Sequence, residues 1–296
     1  MHLTNKKITI GIPTFNEEKN ILKFFESLQN QNLKSIELEK ILFVDDSEDD
    51  TPKIIEKLKL DNPALNIELI HNKVRRGASN AWNTIFKNSV GEIIILLDAD
   101  IELEKNCIYN LAEKINDKIG LCASNTQPII IKNNRFSKAA AFIAFWLRSV
   151  RQKELSQYTT MGRALAVYQK DVQDLEIPND IIAIDLYLQC KILENHKSIV
   201  YNDEAIVYFK TPSNLSDFLS QVTRSIIGHK QIKEYTKKFS FDLPIKTLVI
   251  EFIRNSFYHP TYSLAFMYCY FLLPYSYMKN RKSISYLWEM AKSTKK

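Results

Sequence analysis

The chain has 296 residues, 45% hydrophobic and 25% charged, the balance of a folded globular protein with room for one large domain or two ordinary ones. Its six glycines are scattered, the nearest pair being Gly77 and Gly91, which excludes a Walker loop and the G-x-G-x-x-G dinucleotide fingerprint because both need clustered glycines. The net charge of +6 suits an anionic ligand or a membrane surface, whereas the lack of a basic block interleaved with aromatics argues against nucleic acid as a partner.

Up to about residue 210, apolar runs alternate with helix-spaced segments. Strands are expected at Ile8–Ile12, Lys40–Val44, Ile67–Ile70, Ile93–Leu97, Leu121–Thr126 and Ala164–Tyr168. Helices are expected over Glu17–Gln29, Thr51–Leu60, Ala78–Lys87 and Leu103–Ile115, with Asn16 capping the first and Thr51-Pro52 starting the second. This alternation predicts an α/β fold, a mostly parallel sheet flanked by helices, in which ligands bind at the carboxyl ends of strands. Further on, Leu215–Lys233 and Ile245–Tyr258 read as helices. The latter is amphipathic, with Leu248, Val249, Phe252, Ile253 and Phe257 on one face and Thr247, Glu251, Arg254, Asn255 and Tyr258 on the other.

Thr261–Met278 then runs without a charged residue and carries five tyrosines, and the tail after it is basic (Lys279, Arg281, Lys282, Lys292, Lys295, Lys296). At about 1.5 Å per residue the uncharged stretch is marginal for a membrane span. The expectation is therefore a helical C-terminal segment, 241–296, lying at a membrane surface, or else a helical pair that completes the core or a homodimer interface. The opening MHLTNKKITI lacks an apolar signal-peptide core, which points to a cytoplasmic protein. The scattered Cys107, Cys122, Cys190 and Cys269 read as reduced thiols and not as a zinc site.

Three acidic features fall at expected strand ends: Asn16-Glu17 after the first, Asp45-Asp46 after the second, and Asp98-Ala99-Asp100 after the fourth. Residues two apart in an extended segment point the same way, so Asp98 and Asp100 can converge on one divalent cation of the hard Mg²⁺ or Mn²⁺ type. A cation bridging a diphosphate would stand where a glycine cradle is missing.

These residues resemble family 2 glycosyltransferases, inverting enzymes of the GT-A fold that use nucleotide-diphospho-sugars. The family's opening I-P-x-Y/F-N-E-E is similar to Ile12, Pro13, Thr14, Phe15, Asn16, Glu17 and Glu18. Val44-Asp45-Asp46-Ser47 with Asp50 and Thr51 resembles the second strand end, one residue shorter than usual, and Arg75-Arg76-Gly77-Ala78 with Ala81 resembles the basic-glycine stretch. Asp98-Ala99-Asp100 matches the metal-binding D-x-D. Gly162 in TTMGRALAVYQKDV resembles the acceptor-facing glycine strand. Asp185 takes the place of the catalytic base in E-D-x-D-L-x-x-R-L, with Ile184 and Tyr187 replacing its other acids. Gln221, Arg224 and Gly228 resemble Q-x-x-R-W-x-x-G, with Ser225 in place of the tryptophan.

The resemblance covers about residues 8–232 and implies a catalytic domain over 1–240. It implies a metal on Asp100 and Asp98, donor contacts from Pro13, Thr14, Phe15, Glu17, Asp46, Arg76, Asp98 and Ala99, and acceptor or diphosphate contacts from Gly162, Gln221 and Arg224. Asp185 would be the general base toward a glycan or lipid-linked acceptor. Two other readings stand beside it. One is a polyprenyl- or dolichyl-phosphate sugar synthase, whose anionic acceptor needs no base. The other, raised by Ile184, Tyr187 and Ser225, is a nucleotide-sugar-binding or scaffold protein without activity.

Overall fold

The computed structural model describes residues 5–130, 132–153, 162–239, 245–274 and 292–294. The predicted alternation is present: β1 (Lys6–Thr14), α1 (Ile21–Gln29), β2 (Ile36–Asp45), α2 (Thr51–Asp61), β3 (Ile67–His71), α3 (Ala78–Asn88) and β4 (Ile93–Leu97) follow in order. Then come β5 (Ile101–Leu103), α4 (Cys107–Ala112), β6 (Ile119–Ile129), α5 (Arg135–Arg151), β7 (Ala164–Tyr168), α6 (Ile184–Glu194) and β8 (Ser198–Lys210). Helices α7 (Leu215–Gln231), α8 (Lys233–Lys237), α9 (Ile245–Tyr258) and α10 (Pro260–Phe271) close the described fold.

Eight strands form one sheet in the order β3-β2-β1-β4-β7-β6-β8-β5. Pairs β1–β2, β1–β4, β2–β3 and β6–β8 are parallel, and β4–β7, β6–β7 and β5–β8 are antiparallel. The parallel half is apolar on both faces. All five residues of β4 are buried, as a strand covered by helices on two sides requires. Ile10, Phe24, Phe25 and Ile108 pack on one face, and Trp82, Ile85, Leu188 and Ile192 on the other. At about 1.5–3 kcal/mol per fully buried large aliphatic or aromatic side chain, these two layers dominate the stability.

Several expectations need correction. Asn16 caps no helix: it sits at φ 54°, its N–H donates to Ser47 Oγ (2.7 Å) and its Oδ1 accepts from Glu48 N–H (2.9 Å). Helix α1 starts later, at Ile21, and Asn20 makes no side-chain cap there. Asn16 instead fastens the loop after β1 to the loop after β2, a local bond that competes with capping. The helix expected over Leu103–Ile115 is confined to Cys107–Ala112, because Ile101–Leu103 pairs antiparallel with Val207–Phe209 as a strand. The helix expected over Leu215–Lys233 ends at Gln231, and α8 begins at Lys233.

All four cysteines are buried and free. Among the described residues no helix is long and apolar enough to cross a membrane, and Tyr275–Met278 with the basic residues Lys279, Arg281 and Lys282 lie outside them. Helices α9 and α10 pack on α5 through Phe142, Trp146, Phe252 and Phe266. Phe218 and Leu219 of α7 join the same cluster.

Candidate active site

Parallel pairing of β1, β2 and β4 delivers their carboxyl ends to one edge of the sheet. There Thr14 stands opposite Asp45 in register, and its Oγ donates to Asp45 Oδ1 at 2.6 Å. Asp45 is fully buried and also accepts from Ser47 Oγ (2.5 Å), while its Oδ2 lies 2.7 Å from His71 Nδ1. Buried carboxylates need such partners, and this one locks three loops.

Its neighbour Asp46 accepts from the backbone N–H of Arg76 (2.7 Å) and Gly77 (2.8 Å) through Oδ2 and from Asn72 Nδ2 (2.9 Å) through Oδ1. Three of roughly four acceptor sites on this carboxylate are thus occupied by the protein. Arg76 contributes its backbone amide here while its side chain is exposed. Arg75 lies 3.8 Å over the Phe15 ring, a cation–π contact that closes this wall. Glu17 is buried, its N–H donating to Thr51 Oγ (2.8 Å) and its Oε2 accepting from Asn20 Nδ2 (2.8 Å). Pro13 holds its ladder position opposite Val44.

The D-x-D follows β4 directly. Because β7 runs antiparallel to β4, Leu97 pairs with Ala164 and Asp98 N–H donates to Arg163 O (2.9 Å). That register sets the Arg163 guanidinium beside both carboxylates, Nη1 lying 3.4 Å from Asp100 Oδ1 and 3.9 Å from Asp98 Oδ2, with the Phe209 ring 4.3 Å beneath. Ala99 between them is buried. Desolvation, then the like charge of Asp100, holds the Asp98 carboxyl well above the usual carboxylate range, against the opposing pull of Arg163 and Arg224. With 40% of its side-chain surface still open to the cleft, water tempers that push.

Asp185 is in the first turn of α6. Burial raises its carboxyl, and the Leu186 N–H and the charges of His229 and Arg224 partly offset this. Gly162 fits against it: a Cβ there would come within 2.9 Å of Asp185 Cβ and 3.3 Å of Oδ2, so only a bare α-carbon passes. Gly228 does the same service for α7, where a Cβ would lie 2.9 Å from Ala183 Cβ. The contact is tied by Gln231, which accepts from Ile182 N–H (2.9 Å) and donates to Asp180 O (2.7 Å). On α7 Arg224 is near enough to Asp185 and Asp98 for their charges to act on it, with Gln221 half-buried one turn earlier.

The expected residues therefore form two connected groups. Thr14, Phe15, Glu17, Asp46 and Arg76 build the β1–β2 wall, and Glu17 lies near enough to Asp98 to influence its charge. Asp98, Asp100, Gly162, Asp185 and Arg224 make the second group, Arg224 acting by charge on Asp98 and Asp185 and Gly162 packing on Asp185. The sequence motifs include Asp45 and Arg75 but assign them no role in the site, and they leave out Arg163, which becomes visible only through the antiparallel β4–β7 register. His71 and His229 serve as local hydrogen-bonding groups, the latter bonding to Ser225 O (2.7 Å).

The donor set suits a divalent cation. Asp98 and Asp100 offer hard oxygens two residues apart, and the guanidinium of Arg163 already stands against them as a positive charge. Among the described residues no three His, Cys, Asp or Glu side chains converge, so a cation here would need ligand oxygens and water to fill its shell.

Comparison with known proteins settles the family. The description "Glycosyl transferase family 2" matches residues 9–172, and "Glycosyl transferase family group 2" matches 93–288. The chain belongs to glycosyl transferase family 2. A GalNAc(5)-diNAcBac-PP-undecaprenol β-1,3-glucosyltransferase of Campylobacter jejuni is 31% identical over 111 residues, 38% of this chain and 35% of the relative. A dolichol-phosphate mannosyltransferase of Pyrococcus furiosus is 29% identical over 111 residues, 38% of this chain and 30% of the relative. The match thus spans about a third of each of these curated relatives.

Solved structures show the GT-A-type fold. The mannosyltransferase PcManGT from Pyrobaculum calidifontis, in complex with GDP-Man and Mn²⁺, superposes with a TM-score of 0.62 at 18% identity over 93% of this chain and 80% of that one. Staphylococcus aureus TarS 1–349 in complex with UDP-GlcNAc gives 0.55 at 20% identity over 85% and 72%.

Proposed function

We propose that this family 2 protein transfers a sugar from a nucleotide-diphospho-sugar to a hydroxyl of a lipid-linked acceptor, with inversion, at the cytosolic face of a membrane. The observation that supports the reading is that the charge of Arg224 on α7 acts on both Asp98 and Asp185, so a cation, the D-x-D and the candidate base share one electrostatic neighbourhood. The relatives' lipid-linked substrates and the nucleotide-sugar complexes of the structural neighbours support the substrate classes.

In this reading Asp100 and Asp98 hold a Mg²⁺ or Mn²⁺ ion. Bound there, it supplies positive charge toward the diphosphate that departs. The loops of Pro13–Glu17 and Asp46 hold the nucleoside, Asp46 through its remaining acceptor site. Asp185 takes the proton from the acceptor hydroxyl as that oxygen attacks the anomeric carbon. A carboxyl raised by burial is a stronger base than one in water and so better matched to this task. Arg224 adds a fixed cation toward the diphosphate, and Gly162 leaves the acceptor room beside the base.

A second reading has its own observation. Arg75 and Arg163 both lie close enough to Arg224 for their charges to act on it, a cationic cluster that suits an anionic acceptor. An acceptor that is itself a lipid phosphate would use that cluster and need no base. Product analysis with a panel of nucleotide sugars and two acceptors, a polyprenyl phosphate and a polyprenyl-diphosphate-linked sugar, tests the proposal. Transfer to the linked sugar, abolished by Asp185→Asn, supports the first reading. Transfer to the phosphate that survives Asp185→Asn supports the second, and no transfer from any donor refutes both.

A further inference from the structure

Helix α9 is mounted inside out. Its sequence separates an apolar from a polar face, and burial would normally fall on the apolar one. Instead Glu251 and Asn255 are 3% and 6% exposed, whereas Ile253 is 50% and Phe257 82% exposed. The inward face is satisfied by polar contacts: Asn255 Nδ2 donates to Ser149 Oγ (2.9 Å), and Trp146 Nε1 on α5 donates to Leu248 O (2.9 Å). Phe252, at the edge of the apolar stripe, alone reaches the Phe142–Trp146–Phe266 cluster. Neighbouring α10 buries Ser263, Ala265, Phe266 and Cys269 and turns Leu264, Met267 and Phe271 outward, Phe271 at 86% exposure. Both helices pack on α5, so both outward rows point away from it.

An outward apolar row on two adjacent helices marks a surface that something covers. The charges bordering it choose the occupant. Across Ile245–Pro274 the exposed formal charges are Lys246 and Arg254, while the one acid, Glu251, is buried and 3.9 Å from Arg254. Tyr258 and Tyr268 are exposed beside the same rows. A self-complementary dimer through this face would bury Lys246 and Arg254 against a copy that offers no exposed acid on these helices to pair with them. Apolar rows flanked by cations and tyrosines instead match the boundary of a bilayer with anionic headgroups. The length fits lying on the surface: 14 residues make about 21 Å, short of the ~30 Å hydrocarbon core.

We infer that the outward faces of α9 and α10 dock this protein on an anionic lipid bilayer, with Val249, Ile253, Phe257, Leu264, Met267 and Phe271 entering the acyl boundary. The inference rests on the lipid-linked acceptor reading above and names its surface. It has a mechanical link to the cleft, because Phe218 and Leu219 on α7, the helix of Arg224, share the cluster that α10 completes.

Sedimentation of the full chain with phosphatidylglycerol–phosphatidylcholine vesicles, and with phosphatidylcholine alone, tests it. The wild type should sediment with the anionic vesicles and less with the neutral ones. Ile253→Asp/Phe257→Asp should reduce partitioning by about tenfold or more, since each loses apolar insertion and gains a repelled charge. Lys246→Glu, on an exposed side chain with no structural burden, should weaken binding to anionic vesicles only. Unchanged melting temperature and nucleotide-diphosphate binding in these variants would show that the fold and cleft are intact. Wild-type protein that stays in the supernatant, or a double variant that binds as the wild type does, would overturn the inference. So would a wild-type dimer that the double variant converts to a monomer without any vesicle binding, which would assign the face to a second copy. Vesicle binding without nucleotide binding would instead leave the docking face standing and defeat the transferase reading.

Discussion

The guanidinium of Arg163 lies 3.4 Å from the carboxylate of Asp100, held there by the antiparallel register that also makes Asp98 N–H donate to Arg163 O. Arg163 is thus an internal countercharge to the D-x-D, and a divalent cation arriving there must compete with it. Arg163→Gln should tighten Mn²⁺ binding in the absence of nucleotide by about two- to fivefold, the ~0.5–1 kcal/mol of a partly exposed ion pair. Calorimetric titration of Mn²⁺ into the two proteins checks this, and equal or weaker binding by the variant would count against it.

Asp185 should impose an acid limb on the rate. Burial raises its pKa, so the ionised base is lost as pH falls through a value above the usual carboxylate range, and transfer to a hydroxyl acceptor declines with it. Asp185→Asn should cost about 10²–10⁴-fold in kcat and remove that limb. A pH profile of kcat for both proteins, with the acceptor saturating, is the measurement.

Gly162→Ala would drive a methyl to 2.9 Å from Asp185 Cβ. Relief requires α6 or the β7 entry to shift, at about 1–3 kcal/mol for overpacking, and the base moves with it. The expected result is a modest drop in melting temperature and a larger proportional loss of kcat than of donor affinity.

Asp45 should matter more for architecture than for chemistry. Asp45→Ala leaves Thr14, Ser47 and His71 without their shared acceptor, and about 2–3 kcal/mol of stability should go with a buried charged hydrogen-bond partner. Urea unfolding measures that loss, and weaker nucleotide binding should accompany it because Asp46 hangs from the same turn.

Much of this arrangement was legible in the chain. β4 and β7 fall where Ile93–Leu97 and Ala164–Tyr168 were expected, because continuous aliphatic runs leave little choice of state. β8 was not foreseen: Asp203 and Glu204 interrupt its pattern, and the register with β6 jumps from Ser124–Asn202 to Asn125–Ile206 at that point. Such a bulge destroys the period that sequence reading relies on. The carboxylates were found because acids clustered at strand ends leave a local mark. Arg163 left none, since its partners are 63 and 65 residues away and meet it only through strand pairing. For α9 the sequence separated Val249, Ile253 and Phe257 from Glu251 and Asn255, but periodicity cannot say which set is turned inward, and Arg254 and Tyr258 of the expected polar face lie exposed beside the apolar row.

The most direct test of the central claim is thermal melting with UDP and GDP, and with their sugars, in the presence and absence of Mn²⁺. A ligand that binds the folded state raises the melting temperature by mass action. The account predicts a rise with at least one nucleotide diphosphate that needs Mn²⁺ and disappears in Asp100→Ala. No rise with any donor, or a rise indifferent to both Mn²⁺ and Asp100, would contradict it.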